Sequence, residues 1–295
     1  MKIIRSKLIG YCFGVANTIN KADQCIAISR EEGIPCYSIG ALIHNNDVVR
    51  HFTGLGMKEI SNPLNNPPGI ALVRAHGMPD KDKRAFRDAG FKIIDATCPI
   101  VAKNSTALKN AAQKGLVTII IGVRGHAETI GLQGVELDDL TPVHSILLCC
   151  ADDAQTFVLH NNLNPEQKIV AVTQTTFSDS EFQAIRTILK SHFKNIRFSN
   201  QPCGATKNRQ KATIELANQC DAVIVVGGKN SENTKALARV VLQNTTKSAF
   251  CIENKQDLDE KLLNQLKQYS TIGICSGSST PTSVIREIEQ VLQAN

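Results

Sequence analysis

Short runs of apolar, mostly β-branched residues alternate along this chain with longer stretches in which apolar residues recur at helical spacing. Continuous apolar runs are typical of strands that are buried on both faces. The predicted strands are Lys2–Leu8, Ile34–Ile39, Gly69–Arg74, Lys92–Ala96, Leu116–Gly122, Ser145–Cys149, Lys168–Thr173, Ile196–Ser199, Asp221–Val226, Ser248–Ile252 and Ser270–Cys275.

Amphipathic stretches between these runs predict helices that pack on the strands. They are Val15–Glu32, Lys81–Ala89, Val101–Lys114, Ser180–Phe193, Ala205–Gln219, Thr234–Gln243 and Thr282–Gln293. The alternation of strand and helix predicts an α/β fold with parallel sheets. Gly90 and Gly115 follow helical stretches, as C-cap glycines do. The proline-rich segment 61–69 predicts an irregular loop.

Composition narrows the class of protein. The chain has 295 residues, of which 42% are hydrophobic and 20% charged, as in a globular protein large enough for two or three units. Aromatic residues make up only 4%, which disfavours a base-stacking nucleic-acid surface. The net charge of +6 suits an anionic ligand or an acidic protein partner. No signal peptide or membrane-spanning run is recognisable, so we expect a cytoplasmic protein without membrane association.

Three of the ten cysteines differ from the others in their context. Cys12, Cys98 and Cys203 each follow a strand-like run and lie next to Gly or Pro. Their spacing suggests one thiolate from each of three similar units, which together would hold a metal centre with an open coordination position. Their context alone leaves core packing as an equal alternative. The remaining seven lie in apolar or helical stretches and are interpreted as packed core thiols: Cys25, Cys36, Cys149, Cys150, Cys220, Cys251 and Cys275.

Other candidate groups also lie where strands end. His44, His76 and His126 occupy short polar turns, and imidazoles can bind phosphate oxygens, move protons or bind metal. Glu128 lies in a loop bounded by glycines, where it is either a solvated side chain or, if burial raises its pKa, a general acid. The turns 173–176, 226–234 and 273–281 are rich in hydroxyl groups and suit a phosphate, although Ser and Asn are also ordinary helix caps.

Nine ordered segments together resemble the 4-hydroxy-3-methylbut-2-enyl diphosphate reductase family, which catalyses the last step of the non-mevalonate isoprenoid pathway. They are 11–15, 43–45, 75–77, 95–99, 125–128, 173–176, 203–210, 229–233 and 277–281. The resemblance implies three similar α/β units with small, mostly parallel sheets, arranged with pseudo-threefold symmetry around a central iron–sulfur cluster. The expected units are residues 14–98, 99–202 and 203–281, with 1–13 as an N-terminal strand and 282–295 as a C-terminal helix.

The resemblance also assigns roles to individual residues. It implies one [4Fe–4S] cluster per chain, with Cys12, Cys98 and Cys203 as its three ligands and one iron without a protein ligand. It makes Glu128 the proton donor and Thr175 the hydroxyl that supports it. The implied substrate-binding residues are His44, His76, His126, Thr175, Ser231, Asn233 and Ser279.

The implied activity is that of an oxidoreductase. It reductively removes the hydroxyl of (E)-4-hydroxy-3-methylbut-2-enyl diphosphate and gives isopentenyl and dimethylallyl diphosphate plus water. The expected electron donor is a ferredoxin or flavodoxin, and the expected state is a monomer or homodimer. Ala127, Gly204, Glu232 and Thr282 depart from the usual family pattern. A carboxylate at Glu232 would repel a diphosphate unless it points away, so it is assigned no binding role.

Three other functions are compatible with parts of this pattern. A hydro-lyase could use a three-cysteine cluster as a Lewis acid without net electron transfer. A regulatory protein could keep the cluster without catalysis. A plain α/β protein with core thiols would explain the composition but not the nine ordered segments.

Overall fold

Twelve strands form three sheets of four parallel strands each in a computed structural model, which describes residues 1–229 and 231–294. The strands are β1 Lys2–Arg5, β2 Cys36–Ile39, β3 Met57–Ile60, β4 Ile70–Val73, β5 Lys92–Asp95, β6 Val117–Ile121, β7 Ser145–Leu148, β8 Ile169–Thr173, β9 Ile196–Phe198, β10 Ala222–Val226, β11 Ser248–Ile252 and β12 Thr271–Ser276. The prediction of an α/β fold with three small parallel sheets is therefore confirmed.

Helices connect the strands, as parallel pairing requires. They are α1 Phe13–Glu32, α2 Asn46–Gly54, α3 Asp80–Asp88, α4 Pro99–Gln113, α5 Ala127–Gln133, α6 Ala151–His160, α7 Asp179–His192, α8 Gly204–Ala217, α9 Glu232–Asn244, α10 Glu260–Leu266 and α11 Thr282–Ala294. Across the described residues, every helix is too short or too polar to cross a bilayer.

The three sheets share one connectivity. Their strand orders are β3-β2-β4-β5, β7-β6-β8-β9 and β1-β12-β10-β11. In each sheet one internal strand is β2, β6 or β10, and the strand that follows it in the chain, β3, β7 or β11, forms one edge. The next strand in the chain, β4, β8 or β12, pairs on the other side of the internal strand. The opposite edge is β5, β9 or β1, so the third sheet takes its fourth strand from the beginning of the sequence.

The chain divides into two compact units. The terminal unit comprises Met1–Ala16, Ala41–Leu55 and Gly204–Asn295, and it contains the sheet β1-β12-β10-β11. Strand β10 is buried along its whole length, because α11 covers one face of this sheet while α8 and α9 cover the other. The central unit comprises Asn17–Gly40 and Gly56–Cys203 and contains the other two sheets, each with its own apolar core.

Some elements were not predicted from the sequence. Strand β3 is an edge strand whose middle residues, Lys58 and Glu59, are exposed, so it has no apolar run. Helices α2, α5, α6 and α10 have at most ten residues each, too few for a clear helical period. Residues Pro63–Asn65 form a short 3-10 helix inside the segment predicted to be irregular. Gly90 and Gly115 have φ of +84° and +66°, which confirms both as helix-ending glycines.

The interpretation of seven cysteines as core thiols is only partly correct. Cys25, Cys36, Cys220 and Cys275 are buried, whereas Cys149 and Cys150 are half-buried. Cys251 is exposed, so the interpretation is wrong there, because β11 is an edge strand with one side open to solvent.

Candidate active site

The internal strands β2, β6 and β10 are each followed by a turn that carries a candidate substrate-binding residue at the same position. His44, His126 and Ser231 each lie five residues after the last residue of β2, β6 and β10, respectively. His126 and Ser231 cap the helices that follow, because their side chains accept hydrogen bonds from backbone N–H groups of the first helical turn. The same position in three repeats therefore presents a polar side chain at the start of a helix.

Two of these turns approach each other closely within the terminal unit. A Cβ atom on Gly228 would lie 2.4 Å from the carbonyl oxygen of His44, so only glycine fits there. The Ser279 hydroxyl donates to the same carbonyl oxygen at 3.2 Å. The residues that follow β10 and β12 are thus fixed against the His44 segment.

Three predicted substrate-binding side chains are buried in this terminal unit. Ser231, Asn233 and Ser279 have exposed fractions of 4%, 6% and 6%. Both side-chain polar atoms of Asn233 are buried without a hydrogen-bond partner among the described residues. A buried polar group without a partner costs roughly 1–3 kcal/mol, so this amide is suited to a polar ligand. Asn230 and the side chain of Glu232 lie outside the described part of the chain, so the expected orientation of Glu232 stays a prediction.

Glu128 is fully buried in the central unit and is held by one residue. The Thr175 hydroxyl donates to Oε2 at 2.7 Å, and the Thr175 backbone N–H donates to Oε1 at 2.8 Å. Burial raises the pKa of Glu128 to about 7, although both hydrogen bonds from Thr175 act to lower it. Glu128 lies in the first turn of α5 rather than in a loop, so the predicted loop position is wrong.

Two histidines of the central unit, His76 and His126, lie together, and His126 contacts the backbone of Glu128. His126 Nδ1 accepts a hydrogen bond from the Glu128 backbone N–H at 3.1 Å, which leaves Nε2 as the protonated nitrogen of the neutral ring. The His76 and His126 rings are perpendicular, with their centroids 5.4 Å apart. Two imidazoles therefore stand together next to a buried acid.

Gln174 connects the Thr175 turn to the residues around Glu128, and sequence reasoning missed it. Its Oε1 accepts from the Val123 backbone N–H at 2.8 Å and from the Thr129 hydroxyl at 3.3 Å, while its Nε2 donates to Thr176 at 2.8 Å. A long amide between hydroxyl residues at the end of a strand was the available signal. Gln174 therefore holds Thr175 in position for Glu128.

Each of the three singled-out cysteines makes the same backbone contact. The N–H groups of Cys12, Cys98 and Cys203 donate to the carbonyl oxygens of Ser278, Ala75 and Thr175 at 3.1, 2.9 and 2.7 Å, respectively. The acceptors lie two residues after the ends of β12, β4 and β8, respectively. Each cysteine directly precedes a helix of at least fourteen residues. None of these three cysteines is in a disulfide, and each is half-buried. A helix N-terminus favours negative charge, so these positions suit thiolate ligands.

The structure thus distributes the predicted residues over both units. The terminal unit holds Cys12, His44, Ser231, Asn233 and Ser279, and the central unit holds His76, Cys98, His126, Glu128, Thr175 and Cys203. The fold and these turns define an α/β enzyme that is suited to bind an anion and to donate a proton.

Residues 3–293 match the family described as LytB protein, so the chain belongs to the LytB family. It is 31% identical to 4-hydroxy-3-methylbut-2-enyl diphosphate reductase of Treponema denticola over 297 aligned positions, 99% of each chain. A structure of E-1-hydroxy-2-methyl-but-2-enyl-4-diphosphate reductase from Plasmodium falciparum superposes with a TM-score of 0.86 at 27% identity, covering 99% of this chain and 88% of that one. A second structure, of the reductase described as the terminal enzyme of the non-mevalonate pathway, gives a TM-score of 0.73 at 27% identity, with both chains fully covered.

Proposed function

We propose that this chain is an oxidoreductase that removes the hydroxyl of (E)-4-hydroxy-3-methylbut-2-enyl diphosphate. The products are isopentenyl diphosphate, dimethylallyl diphosphate and water, at the last step of the non-mevalonate pathway. The observation that carries this proposal is the fully buried Glu128, whose two oxygens are both held by Thr175 and whose pKa is about 7, in a chain of the LytB family. A proton donor of this kind is what the departure of a hydroxyl group as water requires.

The proposed diphosphate-binding residues are His44, His76, His126, Ser231, Asn233 and Ser279. The unpartnered amide of Asn233 supports this assignment, because a phosphate oxygen would accept its N–H. His126 supports it as well, because its Nδ1 accepts from the Glu128 N–H and the proton of the neutral ring is therefore on Nε2, as a donor to a phosphate oxygen requires. Donors from imidazole, hydroxyl and amide groups would together compensate the cost of taking a multiply charged group out of water.

Enzymes of the LytB family are iron–sulfur proteins. For this chain we propose one [4Fe–4S] cluster with Cys12, Cys98 and Cys203 as its ligands. The donor set fits, because the three cysteines are half-buried and outside any disulfide, each precedes a helix, and carbonyl oxygens beyond the strand ends fix their N–H groups. Thiolates in such positions are suited to hold iron. When bound, the cluster supplies electrons and a Lewis-acidic iron.

The side chains of this protein then control the proton. The reaction consumes two electrons and two protons for each hydroxyl removed as water. Glu128 is half-protonated near pH 7 and would donate a proton to the departing hydroxyl. Thr175 would keep the carboxyl group oriented through its hydroxyl and its N–H. The burial of Glu128 excludes bulk water from the proton that is transferred.

The test is turnover of the purified protein under anaerobic conditions. The protein should contain about four irons and four sulfides per chain, and it should convert the diphosphate only when a reductant such as reduced methyl viologen is present. An iron-free protein after cluster reconstitution would refute the cofactor assignment. Turnover without any reductant would instead indicate the hydro-lyase. The choice between ferredoxin and flavodoxin, the monomeric or homodimeric state and the cytoplasmic location stay predictions.

A further inference from the structure

The guanidinium of Arg209, in the second turn of α8, is buried among uncharged oxygen atoms. The residue is 5% exposed. Its Nη1 donates to the carbonyl oxygens of Leu8 at 3.2 Å and Ser276 at 2.9 Å and to the Ser276 hydroxyl at 3.3 Å, while its Nη2 donates to the carbonyl oxygen of Gly10 at 2.9 Å. Every one of these acceptors is uncharged, and no carboxylate of the described residues pairs with Arg209. A buried charge without an opposite charge is strongly unfavourable.

A neutral side chain performs the same structural task elsewhere in the chain. Arg209 lies six residues after Cys203, and Asn104 lies six residues after Cys98. The Asn104 amide donates to the carbonyl oxygen of Thr173, the last residue of β8, at 3.0 Å, just as Arg209 binds the carbonyl oxygen of Ser276, the last residue of β12. Thr18, six residues after Cys12, is also neutral and buried. The positive charge at Arg209 is therefore not needed for this contact.

The charge of Arg209 lies against the chain segment that leads to Cys12. Leu8 and Gly10 lead directly to Cys12. Burial lowers the pKa of Arg209, and the charges that oppose this shift are those of the Cys12 and Cys275 thiols. Cys275 is fully buried, and burial raises its pKa to about 12, so it is neutral near pH 7. Cys275 therefore does not compensate the guanidinium, whereas the carbonyl oxygen of Gly10, which binds Arg209, lies two residues before Cys12.

We propose that Arg209 is a positioning residue that holds the Cys12 segment and supplies the positive charge that stabilises the reduced state of a metal centre bound at Cys12. The inference rests on the proposed cluster. Reduction adds one negative charge to such a centre, and a fixed buried cation favours the more negative state. Arg209 would therefore raise the midpoint potential of the centre.

The test is a mediated redox titration of the reconstituted protein, followed by EPR, on the wild type and on the variants R209Q and R209K. R209Q removes the charge but keeps an amide donor, whereas R209K keeps the charge and loses the planar fork. We expect R209Q to disfavour the reduced state about tenfold, which for one electron is a midpoint about 59 mV lower. R209K should stay within about threefold of the wild type. The matched control is K211Q, which removes an exposed charge from the same helix and should leave the midpoint unchanged.

An unchanged midpoint in R209Q at full iron content would overturn the inference, and so would an equal shift in R209K and R209Q. If R209Q takes up no iron, iron uptake by R209K supports the role of the charge, whereas equal loss in both variants overturns it. A wild-type protein that takes up no iron overturns the proposed function as well. A wild type with iron and an unresponsive R209Q overturns only this inference.

Discussion

Replacing Glu128 with Gln removes the proposed proton while leaving the shape of the side chain almost unchanged. The Gln oxygen can accept from the Thr175 N–H, and its amide can donate to the Thr175 hydroxyl, which then acts as acceptor. E128Q should therefore fold and bind iron like the wild type. A general acid contributes about 10²–10⁴-fold, so we expect kcat to fall by that factor, equivalent to about 3–5 kcal/mol of transition-state stabilisation.

The assay is steady-state consumption of reduced methyl viologen with the diphosphate substrate, together with iron content. KM should change little, because the side chain of Glu128 contacts Thr175. Glu128 contacts the proposed diphosphate ligand His126 through its backbone N–H, which the substitution keeps. The matched control is E136Q in the same unit. Glu136 is also buried, but it pairs with Arg84 at 2.7 Å, so its loss should lower stability and leave kcat intact. If E128Q retained kcat within about threefold of the wild type, Glu128 would not be the acid.

Three further predictions follow from the same geometry. In T175V the Glu128 carboxylate loses a hydrogen bond that lowers its pKa. The alkaline limb of the pH profile of kcat, where kcat falls as Glu128 deprotonates, should therefore move to higher pH. An unmoved alkaline limb would contradict this role of Thr175. N233L should raise KM about tenfold without lowering Tm, because it removes a buried amide that has no partner among the described residues. The control N104L should lower Tm, because the Asn104 amide binds the carbonyl oxygen of Thr173. A reduced Tm in N233L would mean that the Asn233 amide is structural. The pKa of Glu128 is raised from 4.5 to about 7 in the folded state, so the wild type should lose up to about 3 kcal/mol of stability as the pH rises between these values. Urea denaturation at pH 8 should therefore show E128Q to be the more stable protein. Equal pH dependence of the two proteins would refute the shift.

The sequence was sufficient for the architecture wherever a strand is buried on both faces. Strand β10, Ala222–Val226, is apolar throughout, and its prediction was correct to within one residue. Strand β3 was missed because an edge strand needs no apolar run, and its exposed Lys58 and Glu59 conceal it. Helix α5 was missed because its seven residues show no period, although it carries the proposed acid.

The candidate site was predictable in its residues but not in its environment. Glu128 was recognised as a possible acid, but its burial depends on packing between elements that are far apart in sequence, such as the Thr175 turn, 47 positions away. The charge of Arg209 gave no signal, because a basic residue on a helix is ordinarily solvated. Only the structure shows that it is buried among carbonyl groups 67 to 201 positions away in sequence.

The pairing of β1 with β12 dictates an order of events during synthesis. Lys2 lies beside Thr271, and the N–H of Cys12 binds the carbonyl oxygen of Ser278. During synthesis β1 must therefore wait until β12 has left the ribosome before it can pair, and such distant pairing is slow to form. A chain that ends or stalls before β12 has no partner for β1 and lacks the Ser278 carbonyl that binds the N–H of Cys12. Synthesis through β12 and the Ser278 turn is thereby a precondition for the folded environment of this thiol.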